Sequence, residues 1–316
     1  MREPFRLSGP ATPTRRTASL AAPVLLLTSL LAGCADAAGR PAAPTAPAVT
    51  ATTAARATDH SLAAVERRYD DARLGVYALD TGTGRTVTYR ADERFAHCST
   101  FKALTAGVLL RSATDERLDE VVHYGPEDLL EHAPVTSRHV GTGMRLSALV
   151  DASIRYSDNT AANLITEELG GPAKVEAALR DLGDTTTRID RVEPDLNEAV
   201  PGDERDTSTP RALATDLRHL LLGGWLPADR RETLRDLMAR NTTGDPYVRA
   251  GVPKGWKVED KTGAGGYGTR NDIAVVRPPG GSPIVIAVLS DRGAEDAPSD
   301  DALIADATEA VVAALR

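Results

Sequence analysis

The chain has 316 residues, 41% of them hydrophobic, and a formal net charge of −8 with both signs spread along its length. That is enough for a sizeable core, in one large domain or two interleaved ones. It contains no long basic run, and an acidic chain of this kind argues against nucleic acid as a partner.

Arg2, Arg6, Arg15 and Arg16 precede an apolar stretch from Leu20 to Leu31. The stretch is too short to span a bilayer and reads as the core of an export signal over residues 1–34. Arg15-Arg16 leaves the twin-arginine and ordinary secretory routes both open. The stretch ends Leu31-Ala32-Gly33-Cys34, similar to a bacterial lipobox whose Cys is lipidated and becomes the mature N-terminus. The alternative is cleavage at the small-x-small site Ala35-Asp36-Ala37. Cys34 is one of only two cysteines and stands where lipid processing needs it, so the lipoprotein reading is preferred. The expected location is the outer face of the cell membrane, lipid-anchored, or the medium. One acyl chain binds a membrane weakly, whereas two or more anchor it stably. Without residues 1–33, basic residues fall from 37 to 33 and acidic from 45 to 44, leaving −11. With Cys34 lipidated, Cys98 has no disulfide partner. Residues 35–58, rich in Ala, Pro, Thr and Val, read as a disordered tether to a folded domain over 59–316.

In that domain, Leu62, Val65 and Tyr69 share one face of a predicted helix from His60 to Tyr69. Arg73–Asp80 and Thr86–Tyr89 read as strands of a hairpin around Thr81-Gly82-Thr83-Gly84. From Ser99 to about Arg240 the pattern is mostly helical, less regular between Pro126 and Thr142. Runs of 3.6 period cover Leu146–Arg155, Ala161–Leu169, Ala173–Leu182, Pro210–Leu222 and Ala228–Arg240. Strand character returns at Trp256–Lys261, Asn271–Arg277 and Ile284–Ser290, before a closing amphipathic helix over Ala302–Leu315. With strands at both ends and helices between, the expected fold is an α/β part (59–95 and 241–316) and an all-α part (96–240). The α/β part is one antiparallel sheet built from both chain ends and flanked by the terminal helices, and the helical subdomain is inserted.

Three short motifs carry candidate chemistry. Cys98-Ser99-Thr100-Phe101-Lys102 sets a Ser and a Lys three apart at a helix start, where they are neighbours on the surface. A positioned amine of lowered pKa can take the Ser proton, and free N–H groups at the helix start can face an oxyanion. The plain alternative is an N-cap Ser with a solvated Lys. Ser157-Asp158-Asn159 lies between two helices. It is either an ordinary cap or a second hydroxyl for proton relay, with Asn159 offering its amide to a substrate carbonyl. Lys261-Thr262-Gly263, then Ala264, is either an exposed edge strand or a cationic, hydroxyl-bearing edge for a carboxylate. In the second reading Gly263 allows close approach and the Ala264 N–H serves an oxyanion hole.

In this order and context, the set resembles the serine β-lactamase and penicillin-binding-protein fold, and specifically the class A β-lactamases, over essentially all of residues 60–316. Glu193-Pro194-Asp195-Leu196-Asn197 matches the Glu-x-x-Leu-Asn loop that separates those hydrolases from plain penicillin-binding proteins. The resemblance implies that Glu193 and Asn197 hold a deacylating water. It also implies that Arg191 and Asp206 form an ion pair closing the loop and that Asn163 braces Glu193. Arg270 would help bind the substrate carboxylate. His132 falls where the family carries an aromatic at the cleft mouth, and is either that contact or a solvated loop residue. Carbapenem-hydrolysing members pair a Cys before the nucleophile with one after Lys-Thr-Gly. Here that second position is Gly265, so Cys98 is expected to be an inert buried thiol.

The implied reaction is β-lactam hydrolysis. The carboxylate is held by Thr262 and Arg270 in the field of Lys261. Ser99 attacks, its proton going to Lys102 or through water to Glu193. The N–H groups of Ser99 and Ala264 receive the oxyanion, Ser157 protonates the departing nitrogen, and Glu193 activates the water. No cofactor is expected, because the six His residues show no ligand spacing near these motifs. A monomer is the default. The rivals are a D,D-peptidase and a lipid-anchored β-lactam-binding or sensor protein that acylates without turnover; Glu193 with Asn197 argues against both.

Overall fold

The computed structural model describes residues 48–70 and 72–316. The export signal over 1–34, Cys34 and most of the 35–58 segment lie outside the described residues. Chain order begins with α1 (Ala48–Arg68), β1 (Arg73–Asp80) and β2 (Thr86–Tyr89). The helices α2 (Phe101–Ser112), α3 (Leu146–Arg155), α4 (Asn159–Glu168), α5 (Pro172–Leu182), α6 (Pro210–Leu221) and α7 (Ala228–Ala239) follow. The chain closes with β3 (Lys257–Ala264), β4 (Arg270–Arg277), β5 (Ile284–Asp291) and α8 (Ala302–Leu315). The five strands form one sheet in the order β2-β1-β5-β4-β3, each pair antiparallel.

The tether reading needs correction at its C-terminal end. Residues 48–58 belong to α1, which begins immediately after Pro47. The run is rich in Ala, the strongest helix former, and an Ala/Thr composition without apolar periodicity conceals a helix of this kind.

The sheet separates two cores, and the strand period of two decides which side chain joins which. Ile273, Val275, Val285, Ala287 and Leu289 face the helical subdomain, with Phe101, Leu104 and Leu217. Their neighbours Ala274, Val276, Ile284, Ile286 and Val288 face the terminal helices, with Leu62, Leu303 and Val311. Strands β4 and β5 are therefore buried on both faces and read as continuous apolar runs.

Local chemistry fixes the helix ends. The Asp158 carboxylate caps α4 by accepting from Ala161 N at 2.9 Å, and Thr209 caps α6 by accepting from Ala212 N at 3.1 Å. Pro172 and Pro210 stand at helix starts, and α5 stops at Gly183, whose φ of 107° suits glycine. Asp158 also accepts from Val135 N, Thr136 N and the Thr136 hydroxyl at 2.8–3.0 Å, tying the irregular 126–142 segment to the helix carrying Asn159.

One buried polar group lies apart from the motifs. Asp216 on α6 is 2% exposed, and its Oδ2 has no hydrogen-bond partner. It lines a small cavity together with Asp184, which follows α5. Burial, then the Asp184 charge, pushes the Asp216 carboxyl up to about 9 from an ordinary value of 3.8. A raised folded-state value gives stability that is complete below about 3.8 and lost progressively as pH rises to about 9. Asp216→Asn removes the ionisation while keeping a polar group. Its melting temperature is expected to exceed the parent's by about 2–10 °C at pH 8. The difference should close towards pH 4 in a calorimetric series; parallel curves would contradict the assignment.

Candidate active site

The site lies where the start of α2, the α3–α4 turn, the 191–206 loop and strand β3 meet. Ser99 sits in a 3₁₀ turn, Cys98–Thr100, that runs directly into α2, so the three-residue spacing to Lys102 is kept. The Lys102 and Glu193 side chains are both 0% exposed, and Nζ lies 2.8 Å from Glu193 Oε1. The Ser99 hydroxyl donates to the same Oε1 at 3.2 Å. The sequence suggested a direct meeting of amine and hydroxyl; in the structure they converge on one carboxylate oxygen instead. Lys102 Nζ also donates to Ser157 O at 2.8 Å, to Ser157 Oγ at 3.4 Å and to Asn159 Oδ1 at 2.6 Å. Burial lowers the Lys102 pKa, and the Glu193 charge acts in the opposite sense.

The loop that brings Glu193 here is anchored at several points. Asn163 brackets the residue, its Nδ2 donating to Glu193 O at 2.8 Å and its Oδ1 accepting from Glu193 N at 2.9 Å. Asn197 Nδ2 donates to Glu193 Oε2. At the neck, Arg191 Nε meets Asp206 Oδ2 at 2.6 Å, and Asp206 Oδ1 accepts from Asp190 N and Arg191 N at 2.8 and 2.9 Å. A second acid, Glu198, also pairs with Arg191. Breaking the Arg191–Asp206 contact would leave a fully buried carboxylate without its ionic partner, which costs more than losing a surface bridge.

Opposite, Lys261 Nζ donates to Ser157 Oγ at 3.0 Å and to Thr262 O at 2.8 Å. Ser157 thus lies between two buried amines. Burial first, then the Lys102 charge, pulls the Lys261 amine down to about 7. Behind it, burial raises the carboxyls of Asp260 and Asp272. Asp260 is held by Arg249 at 2.7 Å and by Asn241 at 2.6 Å.

These groups border a cleft of about 280 Å³. Ser99, Ser157, Asn159, Asn197, Thr262, Gly263 and Ala264 all line it, as does His132, whose Nε2 sits 3.1 Å from Tyr156 O. Gly263 is required by close packing, because a Cβ there would lie 2.9 Å from His97 O and 3.2 Å from Thr100 N. Lys261 acts from beneath, and Arg270 is not among the lining residues. Arg270 pairs in register with Ala264, but its Nε is bound to Asp301 Oδ1 at 2.8 Å. Cys98 is a free, buried thiol, pushed up by burial. A Cβ at Gly265 would meet its Sγ at 2.6 Å.

Sequence reasoning missed two lining residues, Thr243 and Tyr247. Thr243 Oγ1 lies 2.6 Å from Thr262 Oγ1, extending the hydroxyl edge. Tyr247 is buried, and its phenol is pushed up by desolvation in the neighbourhood of Arg270 and Asp301. Both fall in Asn241-Thr242-Thr243-Gly244-Asp245-Pro246-Tyr247, a run that reads as an ordinary polar loop.

A family model described as "Beta-lactamase enzyme family" matches residues 57–315. The chain belongs to that family. It is 55% identical over 258 residues to a Bacillus cereus protein named "Beta-lactamase 3", covering 82% of this chain and 81% of that one. A Nocardia farcinica β-lactamase is 52% identical over 305 residues, 96% of each chain. Among solved structures, a class A β-lactamase from Clostridium kluyveri superposes with a TM-score of 0.81 at 48% identity, covering 82% of this chain and 99% of that chain. A halotolerant bacterial β-lactamase gives 0.79 at 54% identity, covering 81% and 98%. The enzyme is therefore a class A serine β-lactamase, with the fold read from the sequence.

The Lys261 geometry carries a pH prediction. A lowered Lys value means that the cation predominates below about 7 and is lost above it. For a carboxylate-bearing substrate, kcat/KM is expected to fall on the alkaline side, from about that value upward. Lys261→Arg, which stays cationic, should move the alkaline limb to higher pH. A limb left in place would contradict the role of the Lys261 charge.

Proposed function

We propose that the enzyme hydrolyses the β-lactam amide of penicillin- and cephalosporin-type antibiotics through a Ser99 acyl-enzyme, and so confers resistance. The observation that carries this is the single buried oxygen, Glu193 Oε1, shared by the Ser99 hydroxyl and the Lys102 amine. A carboxylate within hydrogen-bond reach of a nucleophile is placed to move its proton.

In this reading the substrate carboxylate binds along Thr262, with Thr243 beside it and Lys261 beneath. Arg270, outside the cleft lining and paired with Asp301, contributes its charge from a distance. The carbonyl oxygen enters between the N–H groups of Ser99 and Ala264. Ser99 Oγ attacks the carbonyl carbon, and its proton passes to Glu193, or to Lys102 once that amine has handed a proton to Glu193. The C–N bond breaks as Ser157 hands a proton to the ring nitrogen and regains one from Lys102, which with Lys261 donates to its Oγ; Glu193, returning its proton to Lys102, is then left ionised. Glu193, its second oxygen held by Asn197, then takes a proton from water that attacks the ester. His132 borders the cleft, and Asn159, also lining it, offers its amide to a substrate carbonyl.

Two further assignments rest on the sequence. We infer a lipid anchor at Cys34 on the outer face of the cell membrane, supported by Leu31-Ala32-Gly33-Cys34. A palmitate label that enters the full chain but not Cys34→Ala would bear this out, and equal labelling would contradict it. We take the enzyme to act as a monomer: the named site residues meet within one chain, so the chemistry needs no second copy.

The full chain is expected to turn over nitrocefin many times per molecule, and Ser99→Ala to lose about 10³-fold or more in kcat. A parent that consumes one equivalent and stops would make it a binding or sensor protein. Faster release of D-alanine from acyl-D-Ala-D-Ala peptides than of hydrolysed β-lactam would make it a peptidase.

A further inference from the structure

His97, two residues before the nucleophile, takes no part in the mechanism above. It is 0% exposed and packs against Phe101 with ring centroids 5.6 Å apart. Its Nδ1 lies 3.1 Å from Cys98 O, and its Nε2 lies 3.0 Å from Arg188 O. Carbonyl oxygens only accept, so each contact needs a proton on the ring nitrogen concerned.

The Cys98 carbonyl is the far end of the peptide unit whose N–H belongs to Ser99. The unit is planar and trans, so fixing the direction of C=O fixes the N–H pointing the opposite way. Constraint is needed here because Cys98 has a φ of 45°, a left-handed conformation unfavourable for a residue with a Cβ. A hydrogen bond to C=O also polarises the peptide and strengthens its N–H as a donor.

His97 is itself held on every side. Its N–H donates to Asp206 O at 3.0 Å. Its carbonyl accepts from Thr100 N at 3.2 Å, Thr100 Oγ1 at 2.7 Å and Asn271 Nδ2 at 3.3 Å. Strand β3, which carries Ala264, packs against that same carbonyl through Gly263. Both N–H groups assigned to the oxyanion are thus referenced to one residue. Nε2 faces the Arg188 carbonyl, but a neutral ring carries one N–H and bonds only one of the two carbonyls; a role at the oxyanion hole requires it on Nδ1.

We propose that His97 is a positioning residue for the oxyanion hole, its Nδ1–H holding the Cys98–Ser99 peptide so that the Ser99 N–H faces the reacting carbonyl. This rests on the reading of Ser99 and Ala264 as the oxyanion donors. Removing such a donor outright typically costs about 10²–10³-fold in kcat. Misdirecting one is expected to cost about 10–100-fold in kcat/KM.

Three substitutions separate the ring nitrogens. His97→Met removes both donors, His97→Asn returns an amide near Nδ1, and His97→Gln returns one near Nε2. Rates are measured in the otherwise unchanged full chain. The ester carbonyl stretch is read by infrared difference spectroscopy on the benzylpenicilloyl adduct, trapped in a Glu193→Gln background. The expected result is a loss in kcat/KM and a shift of the ester band to higher wavenumber for Met and Gln, with both largely restored by Asn. A folded Met variant with the parent band and parent kcat/KM would overturn the proposal. If Met fails to fold, ¹⁵N NMR of the unsubstituted protein decides: a protonated His97 Nδ1 supports it and a bare Nδ1 overturns it. A trapped ester of unsubstituted His97 that absorbs where a free model ester does would overturn the oxyanion-hole reading itself.

Discussion

The Lys102–Glu193 pair is the contact on which the rest of the site depends. Two opposite charges with fully buried side chains sit 2.8 Å apart. Taking them out of water is expensive, and their mutual attraction offsets that cost only if their remaining hydrogen-bonding capacity is also met. Here it is. Lys102 gives its other protons to Ser157 and Asn159, and Glu193 Oε2 is taken by Asn197. The same contacts gather the chemistry, because each partner that makes the pair tolerable is a residue the reaction uses. Stability and positioning are coupled, so removing either charge strands the other in a dry site.

Backbone conformation shows what that network restrains. Cys98, Ser157 and Asp206 have φ of 45°, 55° and 56°, left-handed values that side-chain-bearing residues seldom adopt. One precedes the nucleophile, one is the relay hydroxyl, and one closes the loop carrying the base. Such conformations persist where surrounding contacts over-determine them. The Phe101 N–H that closes the turn, with His97 Nδ1 beside it, meets the Cys98 carbonyl; Lys261 reaches Ser157 and Arg191 reaches Asp206. The scaffold beneath is a sheet whose strands β4 and β5 are buried on both faces, with Gly263 letting its edge press against the turn that holds Ser99.

Much of this was legible in the residues. Period-two strands and period-3.6 helices located the longer strands and helices, because each must bury one face or both in one of two cores. The three motifs and the Glu193 loop named most of the site, since their chemistry needs particular side chains at fixed local spacing. What was hidden depends on distance in sequence. Nothing local shows that Ser99 and Lys102 meet through Glu193, 94 and 91 residues away. Thr243 and Tyr247 join the cleft only because the loop after α7 folds beside β3. The start of α1 was obscured by an Ala- and Thr-rich run whose helix has no apolar stripe to announce it. Asp216 on α6 acquires its perturbed carboxyl only because the fold brings Asp184 beside it.

The most direct test of the central claim follows the fate of the acyl-enzyme. Purified parent and Glu193→Ala chains are mixed with benzylpenicillin and followed by intact-mass spectrometry. The account requires the parent to return to its unmodified mass as substrate is exhausted, while the variant keeps one covalent adduct for far longer. A variant that sheds its adduct at the parental rate would show that Glu193 does not activate the deacylating water, and the role given to the buried pair would have to be abandoned.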